Sequence, residues 1–173
     1  MEPPARNTMW RFGFPTRANY EDSELFCGGI KRQWDDNKGQ CGVCGDPYDG
    51  EREHETGGFY AYNVTARKYA PGAAIDILID IVANHGGRFS FQMCWRDTWE
   101  QKGELEELLI HRSNNSHNTE TESCFEPLRL ANGNYSIELD PKSGTGTKLY
   151  QVQLPPNKEC ENCILRWHWK SGQ

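Results

Sequence analysis

No run in these 173 residues reaches about 18 consecutive apolar positions, so no segment spans a membrane as a helix. No block of lysine and arginine occurs and the net charge is −6. That balance argues against a nucleic-acid partner, which is met by a basic face. No secretory leader is visible at Met1. Internal repeats and low-complexity tracts are absent, which leaves one domain by length, large enough to bury a core. No Ser/His/Asp order, phosphate loop or His-Glu-x-x-His motif stands out, so none of those chemistries has a footing.

What is present starts with Ala74 to Cys94. Ile75, Ile77, Ile79 and Ile81 alternate with Asp76, Leu78, Asp80 and Val82, a period of two that predicts a strand with one face on a core. Ala83-Asn84-His85-Gly86-Gly87 follows, and two adjacent glycines permit positive φ and a sharp reversal. Phe89, Phe91 and Met93 then alternate with Arg88, Ser90 and Gln92 as a second strand. A histidine therefore stands at the rim of a sheet. Its ring either sits in water as an ordinary turn residue or meets a metal or ligand.

Around this stretch the chain is irregular. Met1 to Tyr20 has three prolines and no usable period, which predicts an extended segment. Glu21 to Trp34 has room for a short helix capped by Asp22 or Ser23, with Cys27-Gly28-Gly29 interrupting it. Asp35 to Gly58 is rich in glycine and reads as a long loop that needs fastening. Phe59 to Tyr69 has strand-like composition, and Ala70-Pro71-Gly72 is a turn. Glu104 to His111 has the apolar spacing of a helical face, and Ser113 to Ser123 is polar and expected to be mobile. Glu126 to Leu139 predicts one or two strands around an Asn132-Gly133 turn. Ser143 to Thr147 is a further turn, and Lys148 to Leu154 alternates again until Pro155-Pro156. The segment from Cys160 ends in a strand with Leu165, Trp167 and Trp169 on one side. Six to eight short strands separated by turns predict an all-β sandwich with a large loop insertion held by disulfides.

Seven cysteines occur: Cys27, Cys41, Cys44, Cys94, Cys124, Cys160 and Cys163. With Asn-x-Ser/Thr triplets at Asn63, Asn114 and Asn134, which are N-glycosylation acceptors in form, they favour an oxidising, extracellular setting. An odd count leaves one thiol over, or partners outside this chain. A link from Cys94 to Cys124 between adjacent strands is one pairing, with others open. Cys41-x-x-Cys44 and Cys160-x-x-Cys163 resemble halves of a four-thiolate zinc site, but more than a hundred residues part them. Glu51, Glu53 and Glu55, with Arg52 and His54, read as a solvated charged loop. His54, His111, His117 and His168 show no ligand spacing; only His85 occupies a shaped position.

Seven segments, PPARNTMWRFGF, NYEDSELFCGG, KGQCGVCGD, EREHETGG, ANHGGRF, YQVQLPP and CENCILRWHW, together resemble the chitin-binding type-4 domains of animals, the arthropod-type lytic polysaccharide monooxygenases. The resemblance runs in order along nearly the whole chain. It implies an immunoglobulin/fibronectin-III-like β-sandwich and a copper cofactor held by a histidine brace. In such a brace, copper binds the α-amine and imidazole of an N-terminal histidine and one internal histidine, which matches His85. Ala83 then lies near the open axial position. Imidazole and amine nitrogens suit copper in both oxidation states. The implied reaction takes an external electron donor and O2 or H2O2 and oxidises C1 or C4 of insoluble β-1,4-linked chitin or cellulose. Aromatics on a flat face would stack on the sugar rings, and Tyr20, Trp34 and Tyr48 are candidates from the loop-rich half. The implied protein is secreted and monomeric.

The sequence departs from that pattern at both ends. Met1 stands where the family has a histidine a few residues before Pro3-Pro4-Ala5-Arg6, and a cysteine-bearing tail is missing after Gln173. The expectation is a single domain over 1–173 truncated at both ends, and an inactive fragment of the enzyme. Two readings compete with it: a non-catalytic polysaccharide-binding module, and an intracellular zinc-stabilised protein.

Overall fold

A computed structural model of the chain describes residues 1–23, 25–95 and 122–172. These form two compact units, one of residues 1–3, 67–95 and 123–172, the other chiefly of residues 4–66.

The first unit is the sandwich. Its strands are β1 (Ala74–Ile81), β2 (Gly87–Cys94), β3 (Phe125–Pro127), β4 (Arg129–Leu130), β5 (Ile137–Leu139), β6 (Gly146–Gln153) and β7 (Ile164–Lys170). One sheet has the order β1-β6-β4; in the other, β2 pairs with β3, β5 and β7, and every pairing is antiparallel. The period of two in β1 is real. Ile75, Ile77, Ile79 and Ile81 are buried, while Ala74, Asp76, Leu78 and Asp80 face outward. Phe89, Phe91 and Met93 of β2 meet them from the opposite sheet, with Val152, Leu130, Leu139 and Leu154 completing the core. Burying each such side chain is worth roughly 1.5–3 kcal/mol. Leu165, Trp167 and Trp169 of β7 pack against this core half-buried, the side of that strand expected from its alternation. The outer edge of β1 is covered at its middle, where Glu2 and Leu78 exchange two backbone hydrogen bonds of 2.8 Å, which shields an otherwise open ladder.

β1 and β2 do not pair with each other. The reversal after Ile81 carries the chain from one sheet to the other, so the two strands face across the core rather than forming a hairpin.

The second unit has little regular structure. Met1 to Tyr20 is not uniformly extended: Arg6–Phe12 forms a short 3-10 helix that ends at Gly13, where φ is +80°. Such a helix needs only i→i+3 bonds and leaves no long apolar period to read. The expected helix in 21–34 is displaced to Lys31–Asp36, a single wide turn. Cys27, Gly28 and Gly29 all have positive φ, at 61°, 83° and 101°, which breaks a right-handed helix there. Phe59 to Tyr69 contains no strand. Its backbone bonds are local, Tyr60 N–H to Glu53 O at 2.8 Å and Ala61 N–H to Gly58 O at 3.1 Å, and strand formers without a partner strand do not make a ladder. The helix expected over Glu104 to His111 lies outside the described residues, as do His111, His117 and Asn114.

Candidate functional site

His85 sits in the connection from β1 to β2. Gly86 and Gly87 there have φ of 63° and 89°, a region that other residues enter at a cost. Space forbids side chains as well. A Cβ on Gly86 would stand 2.6 Å from Pro141 Cγ, and one on Gly87 would collide with the carbonyl of Lys170. The turn is thus wedged between the chain after β5 and the end of β7.

Hydrogen bonds hold it there. The Asn84 side-chain oxygen accepts the Gly86 N–H at 2.9 Å, an Asx turn. The Asn84 amide nitrogen donates to Asp140 O at 3.0 Å, Gly144 O at 3.1 Å and Ser143 Oγ at 3.2 Å. The Trp169 indole N–H donates to Gly86 O at 2.8 Å, and the Gly172 N–H donates to His85 O at 3.1 Å. The His85 ring itself is exposed, 6.2 Å from the Trp169 ring and tilted 36° to it. Ala83, two residues earlier, is also exposed. Sequence reasoning reached His85 and Ala83 but missed Asn84 and Trp169. The signal for Asn84 was its place two residues before a glycine, the Asx-turn spacing.

Tyr20, Trp34 and Tyr48 belong to the loop-rich unit and are 80%, 58% and 44% exposed. Tyr20 stands edge-on to Trp10 at 5.2 Å. Trp34 lies over Gly39, where a Cβ would approach its ring to 2.8 Å. Tyr48 has the Arg52 guanidinium 5.4 Å from its ring centre. The segments bearing Trp34 and Tyr48 are tied by Asp49, which accepts from Arg32 Nε and Asn37 Nδ2, both at 2.8 Å. The Asn37 and Arg32 hydrogen bonds hold the Asp49 carboxyl below its ordinary range.

Three disulfides join Cys27 to Cys41, Cys94 to Cys124 and Cys160 to Cys163. Cys44 is half-buried and belongs to none of these three bridges. Cys41 and the Cys160–Cys163 pair are thereby spent in bridges, and the four-thiolate arrangement does not form. Asn63 and Asn134 are exposed.

The reading of Glu51 to Glu55 as a solvated loop is corrected. His54 and Glu55 are buried, and so is Asp46. Asp46 accepts the His54 backbone N–H at 3.0 Å and the ring Nδ1–H at 2.7 Å. The His54 ring stacks on Tyr60 at 4.8 Å, Glu55 accepts the Val43 N–H at 3.1 Å, and Arg52 lies 3.7 Å from the same carboxylate. These bonds offset much of the cost of burying the charges, although His54 Nε2 is buried without a hydrogen-bond partner among the described residues.

Comparison with known proteins decides the family. The model described as "Lytic polysaccharide mono-oxygenase, cellulose-degrading" matches residues 1–173. The chain belongs to the lytic polysaccharide monooxygenases. A solved structure, the lytic polysaccharide monooxygenase AA15 from Thermobia domestica in the Cu(I) state, is 34% identical with a TM-score of 0.82, covering 98% of this chain and 80% of that one. No curated protein matches the chain. The β-sandwich expected from the sequence is the family's fold, and family membership makes the chain an oxidoreductase with copper as its cofactor.

His85 fits the place of one copper ligand: an exposed imidazole on a tethered turn, with nitrogen chemistry suited to the metal. Among the described residues, no group of three His, Cys, Asp or Glu side chains could hold a metal ion.

Proposed function

We propose that this chain serves the copper-dependent oxidative cleavage of insoluble β-1,4-linked polysaccharide, chitin or cellulose, with His85 as the internal imidazole ligand. The observation that carries the reading is the mounting of His85. Its backbone is fixed on both sides while its ring stays exposed at the sheet rim, where a flat crystalline surface can reach it. Bound copper would supply the redox chemistry by which an oxygen species attacks a sugar C–H bond. The chain's own residues hold the imidazole and present the face. Ala83, exposed two residues before His85, is assigned beside the metal, where its small side chain would leave space. Tyr20, Trp34 and Tyr48 are assigned as ring-stacking groups for the sugar, supported by their exposure. Glycans on Asn63 and Asn134, secretion, a monomeric state and a single functional domain complete the reading. The disulfides support the oxidising compartment.

Cu(II) titration followed by NMR tests the ligand assignment. The His85 ring signals should broaden first, and His85→Ala should abolish that selective broadening. Binding to microcrystalline chitin and cellulose tests the face, with loss expected on replacing Trp34 by Ala. For the 173-residue polypeptide alone, with copper and reductant, we expect negligible release of oxidised oligosaccharide. Soluble oxidised chito- or cello-oligosaccharides in that assay would overturn this point. In a second reading the chain is a polysaccharide-binding module without redox chemistry, for which chitin binding would survive His85→Ala unchanged.

A further inference from the structure

Resting on the assignment of His85 as a ligand, we propose that Asn84 and Trp169 are positioning residues that set the direction of the His85 imidazole by gripping the peptide groups beside it. The need for a grip follows from the backbone. Gly86 and Gly87, directly after the histidine, have the widest conformational freedom of any residue type. Whatever the ring itself touches, its direction depends on where its own Cα and the peptide groups beside it stand. A ligand must be held to within roughly 0.5 Å and 10–20° to act.

Three polar groups of the turn are held from outside its backbone. The His85 carbonyl accepts the Gly172 N–H. The Gly86 N–H is taken by the Asn84 side chain, and the Gly86 carbonyl by the Trp169 indole. Each side chain is anchored in turn. Asn84 reaches the corner between β5 and β6 through Asp140, Ser143 and Gly144. That corner is braced by its own bonds, Asp140 Oδ1 accepting the Lys142 N–H and Asp140 O accepting Ser143 Oγ–H, both at 2.8 Å. Trp169 stacks on Trp167 with ring centres 5.6 Å apart and planes 17° from parallel, and Trp167 stands edge-on to core residue Phe89 at 5.9 Å. One tether thus runs to the β5–β6 corner and the other through β7 to the core. Asparagine at 84 is required because the position uses an acceptor and donors together; aspartate keeps only the acceptor. Phenylalanine at 169 keeps a smaller stacking ring and loses the N–H.

The test uses the 173-residue protein with Cu(II) ions as the probe, and the variants Asn84→Ala, Asn84→Asp, Trp169→Phe and His85→Ala. The metal-free readouts are 15N relaxation of the His85 ring and hydrogen exchange of the Gly86 amide. The ring should be ordered in the parent and looser in Asn84→Ala and Trp169→Phe. Gly86 exchange should quicken in Asn84→Ala and be partly restored in Asn84→Asp. The Cu(II) concentration that half-broadens the His85 signals should rise about 10-fold or more in Asn84→Ala, the scale seen when groups that orient a metal ligand are removed. A fall in melting temperature with ring order and the copper midpoint both unmoved would reduce the two residues to structural ones and overturn the proposal. If copper does not select His85 in the parent, the ligand assignment fails, and ring relaxation alone decides the positioning claim. Trp169→Phe and Asn84→Asp keep the test open should Asn84→Ala not fold.

Discussion

In the sandwich, order comes from alternation: every second residue of β1 is an isoleucine turned inward against Phe89 and Phe91. In residues 4–66 the means are different. Met9 is the one large apolar side chain buried there among the described residues, while Phe12, Phe26, Ile30, Trp34 and Phe59 are half or more exposed. What holds that unit is the Cys27–Cys41 bridge, the buried Asp46, His54 and Glu55, and turns built on Cys27, Gly28, Gly29 and Gly45 at positive φ. A chain that spends its large apolar groups on a surface must hold itself by covalent and polar means.

The comparison can be broken at its strongest point first. Phe89→Ala, which empties a side chain that is 1% exposed between the sheets, should cost about 3–5 kcal/mol in urea unfolding. A loss below 1 kcal/mol would mean that the sandwich does not depend on its core as described. In the loop-rich unit the matching change is Cys27→Ser with Cys41→Ser. The bridge spans a sequence separation of 14, and closing a loop of about that length is worth roughly 3 kcal/mol. Amides of residues 25–47 should exchange faster while those of β1 and β6 keep their protection. Equal loss of protection in both units would erase the distinction.

The polar cluster sharpens the comparison with a smaller effect. Asp46→Asn keeps an oxygen for one of the two His54 donors and places an amide NH2 against the other. The expected cost is about 1–3 kcal/mol, the range for a buried donor left unmatched. The ring could accept from that NH2 only by moving its proton to Nε2, which is buried and has no hydrogen-bond partner among the described residues, so one buried donor is left unmatched either way. Unaltered stability in Asp46→Asn would show that His54 is held by its stack on Tyr60 and not by the carboxylate.

These two regions were also unequally legible in the sequence. The isoleucines of β1 and the phenylalanines of β2 announce their faces because burial repeats at the strand period. His85 could be placed at a rim for the same reason, since the period stops four residues before it. The crossing from sheet to sheet could not be read, because two positive-φ glycines serve a hairpin and a crossover equally. The Asx turn from Asn84 to Gly86 is local, but the outer part of the clamp on His85 could not be read: the other partners of Asn84 and Gly86 are 56 to 83 residues away in sequence, and no local pattern encodes them. Glu51 to Glu55 misled because charge reads as solvation. The neutralising groups, Asp46 eight residues before His54 and Arg52 beside Glu55, matter only once the loop has folded. The helix expected before Trp34 gives way at Cys27-Gly28-Gly29, the interruption legible in its glycines; the left-handed turn at Cys27 itself carries no such signature.

The smallest effect concerns pH, and it returns to the sandwich. Tyr150 lies opposite Ile77 in the β1–β6 ladder, with its ring 5.2 Å from Phe89 and 5.7 Å from Phe91. Burial raises its phenol above the ordinary value of 10.0, and burial also raises Tyr69, aided by the charge of Glu2. The unfolded chain therefore loses these protons at lower pH than the folded one. The stabilisation is fully present below pH 10 and drains away as pH climbs through the raised folded-state values. Stability should fall on the alkaline side, and Tyr150→Phe should flatten that fall without removing it, since Tyr69 still titrates. The measurement is the urea midpoint between pH 8 and 11 for both proteins. Parallel curves would show that the Tyr150 hydroxyl reaches solvent in the folded state, and that the aromatic layer over Phe89 is less closed than its packing indicates.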